Sequence, residues 1–169
     1  MIDVGSPAIN LSRYSLGGQT IVGVDNPANA SGVIDTFQLY NARSMTGLKL
    51  GTFSKDGNIL TNRDYVSIGN SSGGAPVTFT GLSVDIEIGD IVGHYTASGS
   101  TEITQSGGGK GVWFKSGDQF EPGTPIDYGT QKDNKRNIAL YGTGEEVSAG
   151  SKAFMHYYRH LMYGGVGRC

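Results

Sequence analysis

The sequence predicts an all-β protein, and three observations carry that prediction. Twenty-eight of the 169 residues are glycine, more than double the share of about 7% usual in globular proteins. Those glycines fall mostly in short clusters between apolar runs, as tight turns between strands require. No segment before residue 147 has helical periodicity of useful length, whereas strand alternation recurs. The length suits one domain, or one domain plus an arm. A chain of this size buries roughly 70% of its unfolded surface, so neither a disulfide nor a metal is needed for folding. Five prolines and no glycine at every third position exclude collagen.

The elements follow in order. Residues 1–18 are polar and contain glycine, with one weak strand at Pro7–Leu11. Gln19–Val24 is a short apolar strand stopped by Asp25-Asn26-Pro27, where proline fixes φ and asparagine bonds its own backbone. Val33–Tyr40 alternates, with Val33, Asp35, Phe37 and Leu39 on one face. Leu48–Phe53 is the next run, closed by a hairpin turn at Lys55-Asp56-Gly57-Asn58, and Asp64–Ile68 follows. Beyond a loop at Ser71–Gly74 and a strand at Val77–Phe79, the residues Val84, Ile86 and Ile88 alternate with Asp85 and Glu87. That pattern describes a half-buried strand with its charges in water. Gly89-Asp90 turns the chain into Ile91–Thr96. Gly107–Gly111 precedes the aromatic strand Val112–Phe114, Gly117-Asp118 turns again, and Asn137–Tyr141 ends in Gly142-Thr143-Gly144. About nine or ten short strands at this spacing are expected to form an antiparallel β-sandwich of jelly-roll topology.

Charge divides the chain at residue 147. Residues 147–169 contain Lys152, Arg159 and Arg168 and no acid, while residues 1–146 are net acidic. Two units are therefore expected, a sandwich over 1–146 and a basic, aromatic-rich arm over 147–169. Phe154, Tyr157, Tyr158, Leu161 and Met162 stand at i, i+3, i+4, i+7 and i+8, an apolar stripe if the arm is helical. Ser151 suits the helix N-cap, and Gly164-Gly165 suits its stop. Three turns alone are marginal, so the stripe must dock. It can pack on its own sandwich or reach a neighbouring subunit, and the same segment can also be read as an extended arm. With Arg159, the stripe forms the candidate subunit interface, since tyrosine, methionine and arginine suit interface cores.

Function classes narrow by exclusion. A net charge of −2 and a pI near 5.9 give no electrostatic reason to bind nucleic acid. No apolar run approaches the ~20 residues that span a membrane, and the first residues do not resemble a signal peptide. Cys169, the only cysteine, permits no internal disulfide. Glycosylation-like triplets at Asn10, Asn29 and Asn70 are read as chance in an Asn/Ser-rich chain. His156 and His160 have the i, i+4 spacing of zinc-binding histidines. Tyr157 nevertheless stands where a metalloprotease carries glutamate, and no third ligand is near in sequence, so no metal and no cofactor are expected. His94 reads as a packed or surface histidine. The Gly107–Gly111 cluster with Lys110 fails the phosphate-loop pattern, because Gly111 and Thr104 occupy the positions that need Ser/Thr and Gly. Asp85 and Glu87 read as a solvated face, and Asp90 and Asp118 as turn residues.

Two recognition readings remain open beside the arm. Trp113, Phe114 and Phe120 surround the glycine cluster and can form a sugar-stacking platform, as in a carbohydrate-binding module, or can be core. A hydrolase would need two acids about 5–10 Å apart in a cleft.

Five segments resemble a known group. They are Asn26–Thr36, Phe79–Asp85, Gly89–Gly93, Gly111–Trp113 and Leu140–Gly144. Together they make residues 1–145 similar to β-sandwich proteins of bacteriophages and environmental viral sequence, which are generally taken to be virion structural proteins. The resemblance implies a non-enzymatic capsid-decoration, head-fibre or tail-associated role in a virion assembled in host cytoplasm. It implies copies of the chain or other virion proteins as partners, and supplies no active-site residues. A surface glycan is the partner under the rival reading.

Overall fold

A computed structural model describes residues 1–11, 13–104, 107–129 and 135–147. Among the described residues there is no helix. Twelve strands form one curled antiparallel sheet: β1 (Ile2–Gly5), β2 (Arg13–Tyr14), β3 (Gln19–Gly23), β4 (Gly32–Asp56), β5 (Ile59–Ser71), β6 (Ala75–Phe79), β7 (Val84–Ile86), β8 (Ile91–Thr96), β9 (Ser98–Ile103), β10 (Val112–Ser116), β11 (Pro125–Asp127) and β12 (Leu140–Glu146).

The curl comes from β4, which at 25 residues is several times the usual strand length of about 5–6. Its first part pairs with β12 on one edge and with β7 and β6 on the other. Its last part pairs with β8 and β5. Between them the register against β9 shifts after Asn41 and again after Arg43, and that against β5 shifts between Met45 and Leu48. Such irregularities bend a strand and increase its twist. Here they turn the two ends of β4 toward one interior. A single apolar cluster accordingly draws Ile34, Phe37 and Leu39 from the first part and Leu48 and Leu50 from the last, with Ile2, Ile21, Val92 and Leu140 beside them. The Thr52 hydroxyl donates to the Asp85 carbonyl (2.7 Å) and the Asp64 carboxylate accepts the Asp85 N–H (2.9 Å), tying β4 and β5 to β7. The result is sandwich-like. The strand order β1-β12-β4-β8-β3-β10 does not by itself define the jelly roll expected from strand number.

Several elements differ from the sequence-based expectation, each for a local reason. Val33–Tyr40 and Leu48–Phe53 are parts of one strand, because backbone pairing continues through Asn41–Thr46, which is polar apart from Ala42 and the buried Met45. Strict alternation over 33–40 fails: Ile34 is buried together with Phe37 and Leu39. Against β12 the register passes from Thr36↔Thr143 to Ile34↔Gly144, so Asp35 is the extra residue of a bulge and the faces exchange there. A Cβ at Gly144 would collide with the Val33 carbonyl, so β12 runs through Gly142-Thr143-Gly144 instead of ending at it. Pro7–Leu11 is not a strand; β1, β2, β9 and β11 are. Ile88 is 70% exposed because the strand stops at Ile86. The helix expected over 151–163 lies outside the described residues.

A second apolar cluster covers the outer face of the β10-β3-β8-β4-β5 half. It contains Val22, Phe53, Leu60, Ile91, Trp113, Phe120 and Tyr128. Residues 117–129 cross this face as a strap, bridged to Gln19 at Gly117 and paired to β5 through β11. The Phe120 ring lies edge-on to Phe53 and Tyr65, with centroids 5.1 and 5.5 Å away. It sits over Gly51, where a Cβ would come within 2.9 Å of the ring. Phe120→Ala is therefore expected to cost about 3–5 kcal/mol, read from urea unfolding at pH 7. A loss below about 1 kcal/mol would show that the strap does not seal this face.

Candidate functional site

Trp113 and Phe120 are 4% and 5% exposed and both belong to the second cluster. Phe114, the next residue along β10, packs from the opposite face against the first cluster, as strand alternation demands. The three rings therefore form no common exposed platform. Lys55 Nζ lies over the Trp113 ring, 5.9 Å from its centroid, so a cation from within the chain faces this indole. Trp113 and Phe120 are buried in the core, and Phe114 is half-buried against the opposite cluster.

The acidic residues of β7 and β12 occupy one end of the body. Glu145 and Asp85 flank Val33 across three adjacent strands, and Glu146 pairs with Gly32. Paired residues project from the same face, so Glu145 and Asp85 stand side by side on either side of Val33, about 10 Å apart at the spacing of strands. Glu87 and exposed Ile88 extend the same end beyond β7. Arg63 answers part of this charge, bonding Glu87 (3.1 Å) and gripping Asp90 through both of its carboxylate oxygens. Asp90 is only 3% exposed. It also accepts the Glu87 N–H (2.9 Å), so it closes the turn and anchors a cation, and turn chemistry alone describes half of its role. Asp118 likewise caps the Phe120 N–H (3.0 Å) and pairs with Lys49 (2.6 Å). Residue 147 leaves from this acidic end, with the Val147 N–H donating to the Ser31 carbonyl at 3.2 Å. Phe154, Tyr157, Tyr158, Arg159, Leu161 and Met162 lie outside the described residues.

The glycine cluster at 107–111 offers no phosphate cradle. The N–H groups of Gly109 and Gly111 donate to the Lys135 and Arg136 carbonyls, and that of Lys110 donates to Asp25 (2.8 Å). A phosphate loop needs such groups turned outward. Among the described residues, no three of His, Cys, Asp and Glu gather as metal ligands would.

His94 occupies the interior, fully buried, with Nε2 at 2.9 Å from the Thr101 hydroxyl. No protein group meets Nδ1. Burial lowers its pKa from 6.5 to about 4, since charge is costly in an apolar surround.

No protein-family model matches the chain, and comparison with curated proteins and with solved structures gives no match.

The buried histidine makes stability depend on pH. Between pH 6.5 and about 4 the unfolded chain binds a proton that the folded chain refuses. The stability is whole above pH 6.5 and falls as pH drops through that window, by about 3 kcal/mol in all. Urea unfolding across this range should give a flatter profile for His94→Gln by that amount. Identical slopes for the two proteins would contradict the assignment.

Proposed function

We propose that this protein is a non-enzymatic virion structural component, of the capsid-decoration, head-fibre or tail-associated kind, which assembles through contacts made by residues 147–169. One observation carries the reading. The segment bearing Lys152, Arg159 and Arg168 and no acid departs from the end of the body that carries Glu145, Glu146, Asp85, Glu87 and exposed Ile88. A basic segment with apolar residues and an acidic end with an apolar tip are complementary. Repeating one such contact between identical copies generates a symmetric assembly. The resemblance of residues 1–145 to virion structural proteins supports the setting, with copies of the chain or other virion proteins as partners. A body buried on both faces of one half-sheet supports the role of a stiff block.

Truncation after Val147 tests this. The shortened protein is expected to keep its thermal transition and its β-type circular dichroism, and to sediment as a monomer where the full chain forms a discrete oligomer. Equal assembly by both forms would contradict a role for the segment.

A further inference from the structure

The two halves of the sheet differ on their outer faces. The 117–129 strap covers that face on the β10-β3-β8-β4-β5 half. On the other half, where β12, β7 and β6 flank the first part of β4 and β1 flanks β12, Ile34, Phe37 and Leu39 turn inward. The alternate residues line its outer face in rows. Glu145, Val33 and Asp85 form one row, and Asp3, Thr143 and Thr36 the next. Asp85 and Glu145 are exposed, and Val33, Thr36 and Thr143 are half-buried. No second strap is found here among the described residues. Nor does this half hold a lysine or arginine: β1, β6, β7, β12 and β4 from Gly32 to Tyr40 contain none. Asp85 and Glu145 form no ion pair among the described residues. At the edge of the first row β12 gives way to Val147, whose N–H bonds the Ser31 carbonyl. Residues 148–169 follow, with Lys152, Arg159 and Arg168 and no acid. Extended chain covers about 3.3 Å per residue, so the roughly 23 Å of β4 from Ser31 to Gln38 is within their reach even after a reversal. Ser148-Ala149-Gly150-Ser151, ahead of the first cation, is small enough to turn.

We infer that residues 152–169 dock on this face of their own chain while the protein is free, and that assembly exchanges the contact for the same one on a neighbouring copy. The exchange rests on the assembling role proposed above; docking within the chain does not. Charge selects the occupant: a segment with three cations and no acid meets a half-sheet whose charged side chains are all acids. Val33, between the two carboxylates of its row, gives the apolar side chains of the segment a place to pack. Position selects the copy. A segment rooted at the edge of its own seat meets that seat at an effective concentration of about millimolar, as short flexible tethers give. A neighbour's segment competes only when the protein itself is concentrated, locally or in bulk. Exchange of one element between identical seats is a low-cost route from monomer to assembly, and here it sets a concentration threshold for it.

The test uses the full chain. Cys169, the only cysteine, takes a nitroxide spin label with no other change to the protein. In one sample, spin-labelled ¹⁵N chains are diluted into plain chains, so amide broadening reports contacts within a chain. In the other, ¹⁵N chains without nitroxide are mixed with spin-labelled ¹⁴N chains, so broadening reports contacts between chains. Where sedimentation shows a monomer, the amides of Val33, Thr36, Gln38 and Thr143 should lose most of their intensity in the first sample only, and those of the 117–129 strap in neither. As an oligomer forms, the same face amides should broaden in the second sample. Asp85→Lys combined with Glu145→Lys, at two exposed positions, should restore the face amides in the dilute protein while the rest of the spectrum shows it folded. Face amides untouched in both samples, or broadened only between chains, would overturn docking within the chain, and the second result leaves the assembling role standing. Undiminished broadening in the double variant would overturn the seat. An oligomer whose broadening stays wholly within chains would overturn the exchange. A chain that is monomeric at every concentration, with its face amides broadened from within, supports the docking and contradicts the assembling role and the exchange.

Discussion

The fold depends on one strand having to satisfy partners on both of its edges while reversing which way its apolar side chains face. β4 hydrogen-bonds to β12, β7, β6, β9, β8 and β5 in turn. Unpaired buried backbone groups are costly, so neither part of β4 can leave its sheet without orphaning neighbours in that part. Its bulge at Asp35 and its register shifts from Asn41 to Leu48 let that pairing persist while Phe37 and Leu50 reach the same interior. A one-residue slip in the first part would turn its apolar side chains away from the interior, and one in the last part would exchange its inner and outer apolar sets.

Two consequences reach the surface. The last part of β4 has an apolar outer face as well as an inner one, and the 117–129 strap covers it. That is why Trp113 and Phe120 serve packing and are not displayed. The bend also fixes what lies at each end. Acids of β7 and β12 collect beside Gly32 and Val33.

Much of the fold was legible where one face is buried and the other wet. Ile91–Thr96 is recovered at its bounds, and the β4–β5 hairpin turns at Gly57-Asn58 between Asp56 and Ile59. Val84 and Ile86 bury while Asp85 and Glu87 face water. β4 reads as two runs because Asn41–Thr46 is mostly polar and glycine follows, and the pairing partners that carry the strand through it are invisible in the sequence. β1, β2, β9 and β11 are short or polar, and tertiary pairing rather than local propensity makes them strands. The candidate site was less legible. Charge composition marked residues 147–169, but nothing local places Glu145 near Asp85, because the strands that flank Val33 with them are 60 residues apart in the chain. For the aromatic residues, composition left core and platform open, and only the direction in which adjacent side chains leave β10 decides between them.

Native-state hydrogen exchange on the full chain tests the central role of β4 most directly. Protected amides in Gly32–Asn41 and in Leu48–Asp56 are expected to exchange with one common free energy, equal to that of global unfolding, with the same dependence on denaturant. Two separate free energies, with one part opening while the other stays protected, would contradict the claim that a single continuous strand holds both halves of the body together.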